Sequence, residues 1–116
     1  MLYVSKMYVE QFPFQKRKEE ASRMRIKYAD RIPVIIERKR GSTLNALTQS
    51  KFLVPSELTV GQLLYVVRKR MKLTPTQSIF FFVDNTIPSS STLVSSLKTH
   101  CDGFLYIEYD QENTFG

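Results

Sequence analysis

His100 and Cys101 are the only imidazole and the only thiol in the 116-residue sequence, and they are adjacent. A cysteine–histidine nucleophile pair requires the ring nitrogen to reach the sulfur, an arrangement that neighbouring side chains disfavour. A metal cage requires more soft ligands than these two. The four glycines, Gly41, Gly61, Gly103 and Gly116, are too scattered for a phosphate-cradling loop. No carboxylate pair stands in a catalytic motif. The residues therefore point away from an enzyme, a metal centre or a bound cofactor, and a structural role is expected for His100 and Cys101. A single cysteine also excludes an intrachain disulfide framework and suits a reducing compartment.

The formal net charge of +6 is the second chemical feature. Residues 1–40 hold 11 Lys and Arg against 5 Asp and Glu, whereas residues 41–116 hold 6 of each, so the whole excess lies in the N-terminal third. It is carried by Lys16-Arg17-Lys18, Arg23, Arg25, Lys27 and Arg38-Lys39-Arg40. Such asymmetry fits an acidic partner, whether anionic lipid, acidic protein or nucleic acid, or else a solvated helix face. Nucleic acid is the weaker partner, because no nucleic-acid-binding motif accompanies the charge.

The elements that would position these residues are those of one soluble domain. The length suits a single core, 42% of residues are apolar, and 6 Tyr and 8 Phe supply bulk. No run approaches the roughly 18 apolar residues of a membrane span, and the first ten residues make a poor signal peptide. The cytosol is the expected location. Residues 3–10 are expected to form a short helix interrupted by Pro13, and residues 14–28 a second, basic amphipathic helix with Ala21, Met24 and Tyr28 on its packed face. Ile32, Val34, Ile35 and Ile36 mark a strand over 31–38, with Pro33 favouring an edge or strand-start position. Residues 41–50 read as a polar loop and 51–54 as a second strand stopped by Pro55.

Val60, Leu63, Leu64, Val67 and Met71 repeat at helical spacing, and Thr59 with Gln62 forms a capping box in front of them. Ile79-Phe80-Phe81-Phe82-Val83 reads as a strand at the centre of a sheet, Asp84-Asn85 as a turn, 92–98 as a short helix, and 104–109 as a final strand opened by Gly103. From residue 31 the order is β-β-α-β-short α-β. That is the order of an α+β ubiquitin-like β-grasp, here with two additional N-terminal helices. The first and last strands would pair in parallel at the centre, leaving strand 51–54 outermost with an open hydrogen-bonding edge. Residues 1–28 are taken as a helical extension packed on the core and residues 29–116 as the ubiquitin-like domain with a flexible tail, one compact domain overall. Behind such a fold the terminal Gly116 has a chemical reading. A carboxylate that is to be activated must thread an enzyme's channel, and glycine has no Cβ to obstruct thioester or amide formation.

From about Phe12 to Gly116 the chain resembles the ubiquitin-like autophagy modifiers, the family of the microtubule-associated protein light chains and the GABA-receptor-associated protein. The likeness is carried by Phe14-Gln15-Lys16-Arg17, Arg31-Ile32-Pro33-Val34, Lys51-Phe52-Leu53-Val54-Pro55, Leu58-Thr59-Val60-Gly61-Gln62, Arg68-Lys69-Arg70, Asp102-Gly103-Phe104-Leu105-Tyr106 and Glu112-Asn113-Thr114-Phe115-Gly116, in family order. The resemblance implies conjugation of Gly116 to phosphatidylethanolamine by ubiquitin-like activating and conjugating enzymes, and release by a cysteine protease. The implied product is a monomeric modifier, cytoplasmic when free and on autophagosomal membranes when lipidated, that recruits cargo receptors bearing aromatic-x-x-aliphatic peptides. The peptide would add a strand to the outer edge. Carried over by position, its aromatic side chain would meet Glu20, Met24, Pro33, Ile35, Lys51, Leu53 and Phe104. Its aliphatic side chain would meet Phe52, Val54, Pro55, Leu58, Leu63, Val66 and Val67, with plain core packing the other reading for Val67 in particular. Arg31 and Arg70 would attract flanking acidic residues, and Phe80 and Phe82 would touch the processing or conjugation machinery. The competing reading is a basic trafficking adaptor that binds cytoskeleton or nucleic acid without being conjugated.

Overall fold

Thr59 and Gln62 start the apolar helix over 60–71 as the sequence predicts. The Gln62 amide N–H donates to Thr59 Oγ1 at 3.2 Å, and the Thr59 N–H donates to Gln62 Oε1 at 2.9 Å. Two of the donors that a helix start leaves without intrahelical partners are thereby satisfied. In the computed structural model, which describes residues 7–111, the order is α1 (Tyr8–Gln11), α2 (Phe14–Lys27), β1 (Arg31–Arg38), β2 (Lys51–Pro55), α3 (Val60–Met71), β3 (Ile79–Phe82), a 3-10 turn (Val94–Ser96) and β4 (Leu105–Gln111).

The strands form one mixed sheet in the order β2-β1-β4-β3. β1 pairs antiparallel with β2, from Arg31 opposite Pro55 to Ile35 opposite Lys51. It pairs in parallel with β4 from Val34 opposite Leu105 onward. The expected central parallel pair and outermost β2 are therefore present, and the architecture is the α+β ubiquitin-like β-grasp with N-terminal helices. Pro33 lies opposite Leu53, one residue before the pairing with β4 begins. Its missing N–H thus interrupts no parallel ladder, so proline stands at the start of a central strand and not at an edge.

Successive side chains of a strand face opposite sides, and two helical layers use the two faces. Ile32, Val34 and Ile36 of β1 join Leu105, Ile107 and Tyr109 in the main core, with Leu63 and Val67 of α3. Ile35 points the other way, into a smaller cluster with Tyr8 of α1, Ala21 of α2 and Phe104.

Several expectations need correction. β3 is an edge strand, not a central one, because β1 occupies the other side of β4. Its alternation nevertheless buries Ile79 and Phe81 and leaves Phe80 and Phe82 half-buried on the opposite face. The expected helix over 92–98 is only the 3-10 turn. Leu93 bridges to Thr59, and the Val94 N–H donates to Leu58 O at 2.9 Å, so the segment is tied to the start of α3 before a longer helix can form. The final strand begins at Leu105, since Gly103 sits in a turn at φ 92°, where a left-handed conformation favours glycine. Tyr28 is exposed past the end of α2, and Leu44 of the polar loop is buried in the main core. α1 is shorter than predicted over its described part, and residues 3–6 lie outside the described residues.

α1 is tied to the sheet through Glu37, whose Oε2 accepts the Tyr8 N–H at 2.7 Å. Burial raises the Glu37 carboxyl above its ordinary value. That hydrogen bond partly offsets the rise, and Glu108 and Glu10 add to it. A carboxyl raised in the fold contributes stability that is full below its unfolded pKa and is lost as pH rises through the folded pKa. Glu37→Gln keeps an oxygen for the Tyr8 N–H and removes the charge. The variant is expected to be more stable than wild type at pH 7, and the difference is expected to shrink as pH falls toward the ordinary glutamate value of 4.5. Urea titrations of both proteins at pH 7 and pH 4 check this; a constant difference would mean that Glu37 is as easily ionised in the fold as in the unfolded chain.

Candidate peptide-binding site

The outer strand β2 has β1 as its only strand neighbour in the described sheet, so its other edge carries no further strand, although the Lys51 and Pro55 carbonyls accept from Gln49 Nε2 at 2.6 Å and the Leu58 N–H at 3.1 Å. Such an edge is a template for a further strand. Along β2, Phe52 and Val54 face α3 within the main core. Lys51 faces α2, where its ammonium donates to Glu20 Oε1. By the same alternation Leu53 and Pro55 lie on the α2 side. The edge therefore runs between two different apolar surroundings.

On the α2 side the structure brings together the whole set proposed for an aromatic side chain. Ile35 and Phe104 are fully buried with Ala21 and Tyr8, and Met24 packs at the margin. Pro33 is buried opposite half-buried Leu53. The Glu20–Lys51 ion pair spans the gap between α2 and β2 at the rim, with both side chains partly exposed. Ile35 and Phe104 thus form the floor of this site, while Met24, Lys51 and Leu53 are the groups an incoming ring would meet first.

On the α3 side Leu63, Val67 and Val54 are 3%, 0% and 3% exposed, so their burial is that of core residues. Leu58 is half-buried against the same core. Val66, 39% exposed, is the accessible apolar member here, and Pro55, exposed as well, falls on the α2 side by the alternation of β2 although the family position assigns it to the aliphatic set. Phe52 is nearly buried, and the Arg70 guanidinium lies over its ring at 5.2 Å from the centroid. A cavity of about 230 Å3 adjoins this pair, lined by residues 45–49 and Met71. Arg31 and Arg70 are both exposed, as cations that attract acidic flanks must be.

Phe82 lies away from this edge. It lines a cavity of about 360 Å3 under α1 with Glu37, His100 and Tyr106, and Lys39 Nζ lies 4.6 Å from its ring centroid. Phe80 is half-buried on the same strand face. Gly116 lies outside the described residues. Cys101 is exposed, and the exposed His100 packs its ring edge-on against Tyr106 at 4.6 Å, with Nε2 3.7 Å from Asp84 Oδ1.

Sequence reasoning missed the polar network beneath the α2 side. Asp102 is 1% exposed. Its Oδ2 accepts from Arg17 Nη1 at 2.7 Å and from the Tyr106 hydroxyl at 2.6 Å, and its Oδ1 accepts the Phe104 N–H at 2.9 Å. Burial raises the Tyr106 hydroxyl above its ordinary pKa, and donation to Asp102 raises it further. Arg25 holds Gly103 O through two guanidinium nitrogens, at 3.1 and 2.8 Å. Arg17 and Arg25 thus bind the protein itself, as do Arg38, which donates to Leu44 O at 2.8 Å, and Arg40, which pairs with Glu10, while Arg23 remains well exposed beside Glu20. No spacing rule relates Arg17 to Asp102, since 85 positions separate them.

A family profile described as "Autophagy protein Atg8 ubiquitin like" matches residues 16–116. Autophagy-related protein 8 of Emericella nidulans is 54% identical over 110 residues, covering 92% of this chain and 93% of that protein. The Coccidioides immitis protein of the same name is also 54% identical, over 92% of this chain and 94% of its own length. Among solved structures, the crystal structure of Trypanosoma brucei ATG8 superposes with a TM-score of 0.88 at 36% identity, covering 97% of this chain and all of that one. A mixed sheet with β1 and β4 parallel at its centre, helices on both faces, and a sequence matched over most of its length together place the chain in one group: it belongs to the Atg8 family of ubiquitin-like autophagy proteins.

Proposed function

We propose that this protein is a non-enzymatic modifier, conjugated through Gly116 to phosphatidylethanolamine of autophagosomal membranes, that recruits cargo receptors through aromatic-x-x-aliphatic peptides bound at β2. Activating and conjugating enzymes supply the reactive cysteines, and a cysteine protease releases the lipid-linked form. The free protein is a cytoplasmic monomer. The N-terminal extension over 1–28 belongs with the ubiquitin-like domain at 29–116 as one unit, its α1 and α2 covering one sheet face, and Phe80 and Phe82 face the conjugation machinery.

The observation that carries the peptide reading is the outer β2 edge, which carries no further strand and lies between two apolar faces. In an extended strand, residues three apart point to opposite faces. A peptide added along β2 therefore sends its aromatic residue toward Met24, Leu53 and the Ile35–Phe104 floor. Its aliphatic residue goes toward Phe52, Leu58 and Val66. Backbone hydrogen bonds supply affinity that depends little on sequence, and the two faces supply selection. Arg31 and Arg70 draw acidic flanking residues by charge, an attraction screened by salt.

The test is amide NMR with such a peptide. Residues 51–54 are expected to shift most. Leu53→Ala and Val66→Ala change accessible positions and spare the core. Each is expected to weaken binding by about 1–2 kcal/mol, the size that marks the minority of interface residues carrying most of the binding energy. Shifts confined to another surface, or full affinity in both variants, would reject the site.

A further inference from the structure

The Asp102 carboxylate joins three parts of the chain around the floor of the aromatic site, although the side chain itself is buried out of a peptide's reach. One oxygen holds Arg17 of α2 and the Tyr106 hydroxyl of β4. The other holds the Phe104 N–H, fixing the backbone that presents the Phe104 ring. Arg17 also donates through Nε to Phe12 O at 3.0 Å, so the same guanidinium ties down the junction of α1 and α2. Eight residues further along α2, Arg25 grips Gly103 O. Between these two attachments α2 passes over Gly103 so closely that an added Cβ there would stand 3.1 Å from Ala21 Cβ. α2 is thus pinned at two points directly behind Glu20 and Met24, the α2 residues at the mouth of the site.

We infer that Asp102 is a positioning residue for recognition of the peptide's aromatic side chain, setting the separation of α2 from the sheet and the placement of Phe104 without touching the peptide. This inference rests on the peptide-binding reading above. The charge matters as well as the shape. A carboxylate that accepts a guanidinium N–H, a hydroxyl and an amide N–H is a charge-assisted hub, with stronger and more directional bonds than a neutral group would make. A neutral amide at this position offers one acceptor oxygen in place of two, so the Phe104 N–H and the Arg17–Tyr106 pair cannot all keep an oxygen partner. α2 is then free to shift over Ile35 and Phe104. The other end of the edge, where the aliphatic residue enters against α3, lies on the opposite face of the sheet and does not depend on this hub.

Calorimetric titration of the full chain tests the assignment with three peptides: an aromatic-x-x-aliphatic peptide, the same peptide with alanine for the aromatic residue, and one with alanine for the aliphatic residue. Wild type is compared with Asp102→Asn and Arg17→Gln, and thermal melting is recorded for each. Both variants are expected to lose about tenfold in affinity for the parent peptide, more than most interface truncations cost. They are expected to bind the peptide lacking the aromatic residue as wild type does, so the aromatic preference collapses while the penalty for losing the aliphatic residue is unchanged. If Asp102→Asn does not fold, Arg17→Gln, whose side chain is 15% exposed in wild type, decides alone. An equal loss for all three peptides, or an undiminished aromatic preference with a lowered melting temperature, would reduce Asp102 to a structural residue and overturn the inference. If wild type itself shows no aromatic preference, the peptide reading has failed and the positioning role falls with it; the wild-type titrations alone identify that case.

Discussion

Deleting Gly116 is expected to abolish the thioester with the activating enzyme and the lipidated form, while leaving folding and peptide binding unchanged. The residue stands five positions beyond Gln111, the last residue of β4, so its loss removes nothing from the described core. The chemistry is lost because the carboxylate then belongs to Phe115, whose side chain stands where glycine presents only hydrogen to the activating channel. The consequence for membrane attachment is large. Each buried methylene contributes about 0.8 kcal/mol, and two acyl chains suffice for stable anchoring, whereas a soluble cationic domain binds anionic lipid reversibly and only at low salt. Incubation with activating and conjugating enzymes, ATP and phosphatidylethanolamine liposomes, followed by gel analysis, provides the measurement, with melting temperature and peptide titration as controls. Lipidation of the deleted protein, or a wild type that forms no thioester with any cognate activating enzyme, would reject the modifier reading and leave a peptide-binding adaptor.

Phe104→Ala is expected to cost about 3–5 kcal/mol of folding stability, the usual range for truncating a fully buried phenylalanine. The ring is 0% exposed among Ile35, Ala21 and Tyr8, with the Tyr8 ring edge-on at 5.5 Å. The truncation leaves a cavity between α1, α2 and the sheet that close-packed neighbours fill only in part. Urea denaturation should show a lower midpoint with an unchanged slope, since the surface exposed on unfolding barely changes. By contrast, Ile26→Ala on the outer face of α2, where the side chain is 81% exposed, should stay within about 0.5 kcal/mol of wild type. A cost below about 1 kcal/mol for Phe104→Ala would mean that the ring is not the shared floor of the α1–α2 layer, because surface substitutions alone behave that way.

The elements that frame the candidate site were legible in local patterns, whereas its individual residues came only from the family resemblance. The span of α3 follows from its apolar spacing and the Thr59–Gln62 box, which act within one turn of helix. The β-branched run of β1 and the Pro55 stop of β2 mark their strands in the same way, and the β-grasp order then leaves β2 outermost. The position of β3 was not legible, since Ile79-Phe80-Phe81-Phe82 has the composition of a central strand. Which neighbour it receives depends on the parallel pairing of β1 with β4, formed by residues about seventy positions apart. The fate of the charges was equally hidden. Arg17, Arg23 and Arg25 have the same side chain on one helix, yet Arg17 reaches Asp102, Arg25 reaches Gly103 O and Arg23 faces water beside Glu20.

By itself the sequence determined most of the elements, their order and the outer position of β2, because periodicity, capping and chain order are properties of neighbouring residues. Only the tertiary structure decided which apolar residues near β2 are floor and which are reachable, and which cations serve the fold. Burial and hydrogen-bond partnership are set by segments far apart in the chain. The approach of α2 to the turn at Asp102 is what turns a surface-like Arg17 and an isolated aspartate into the buried hub of the site.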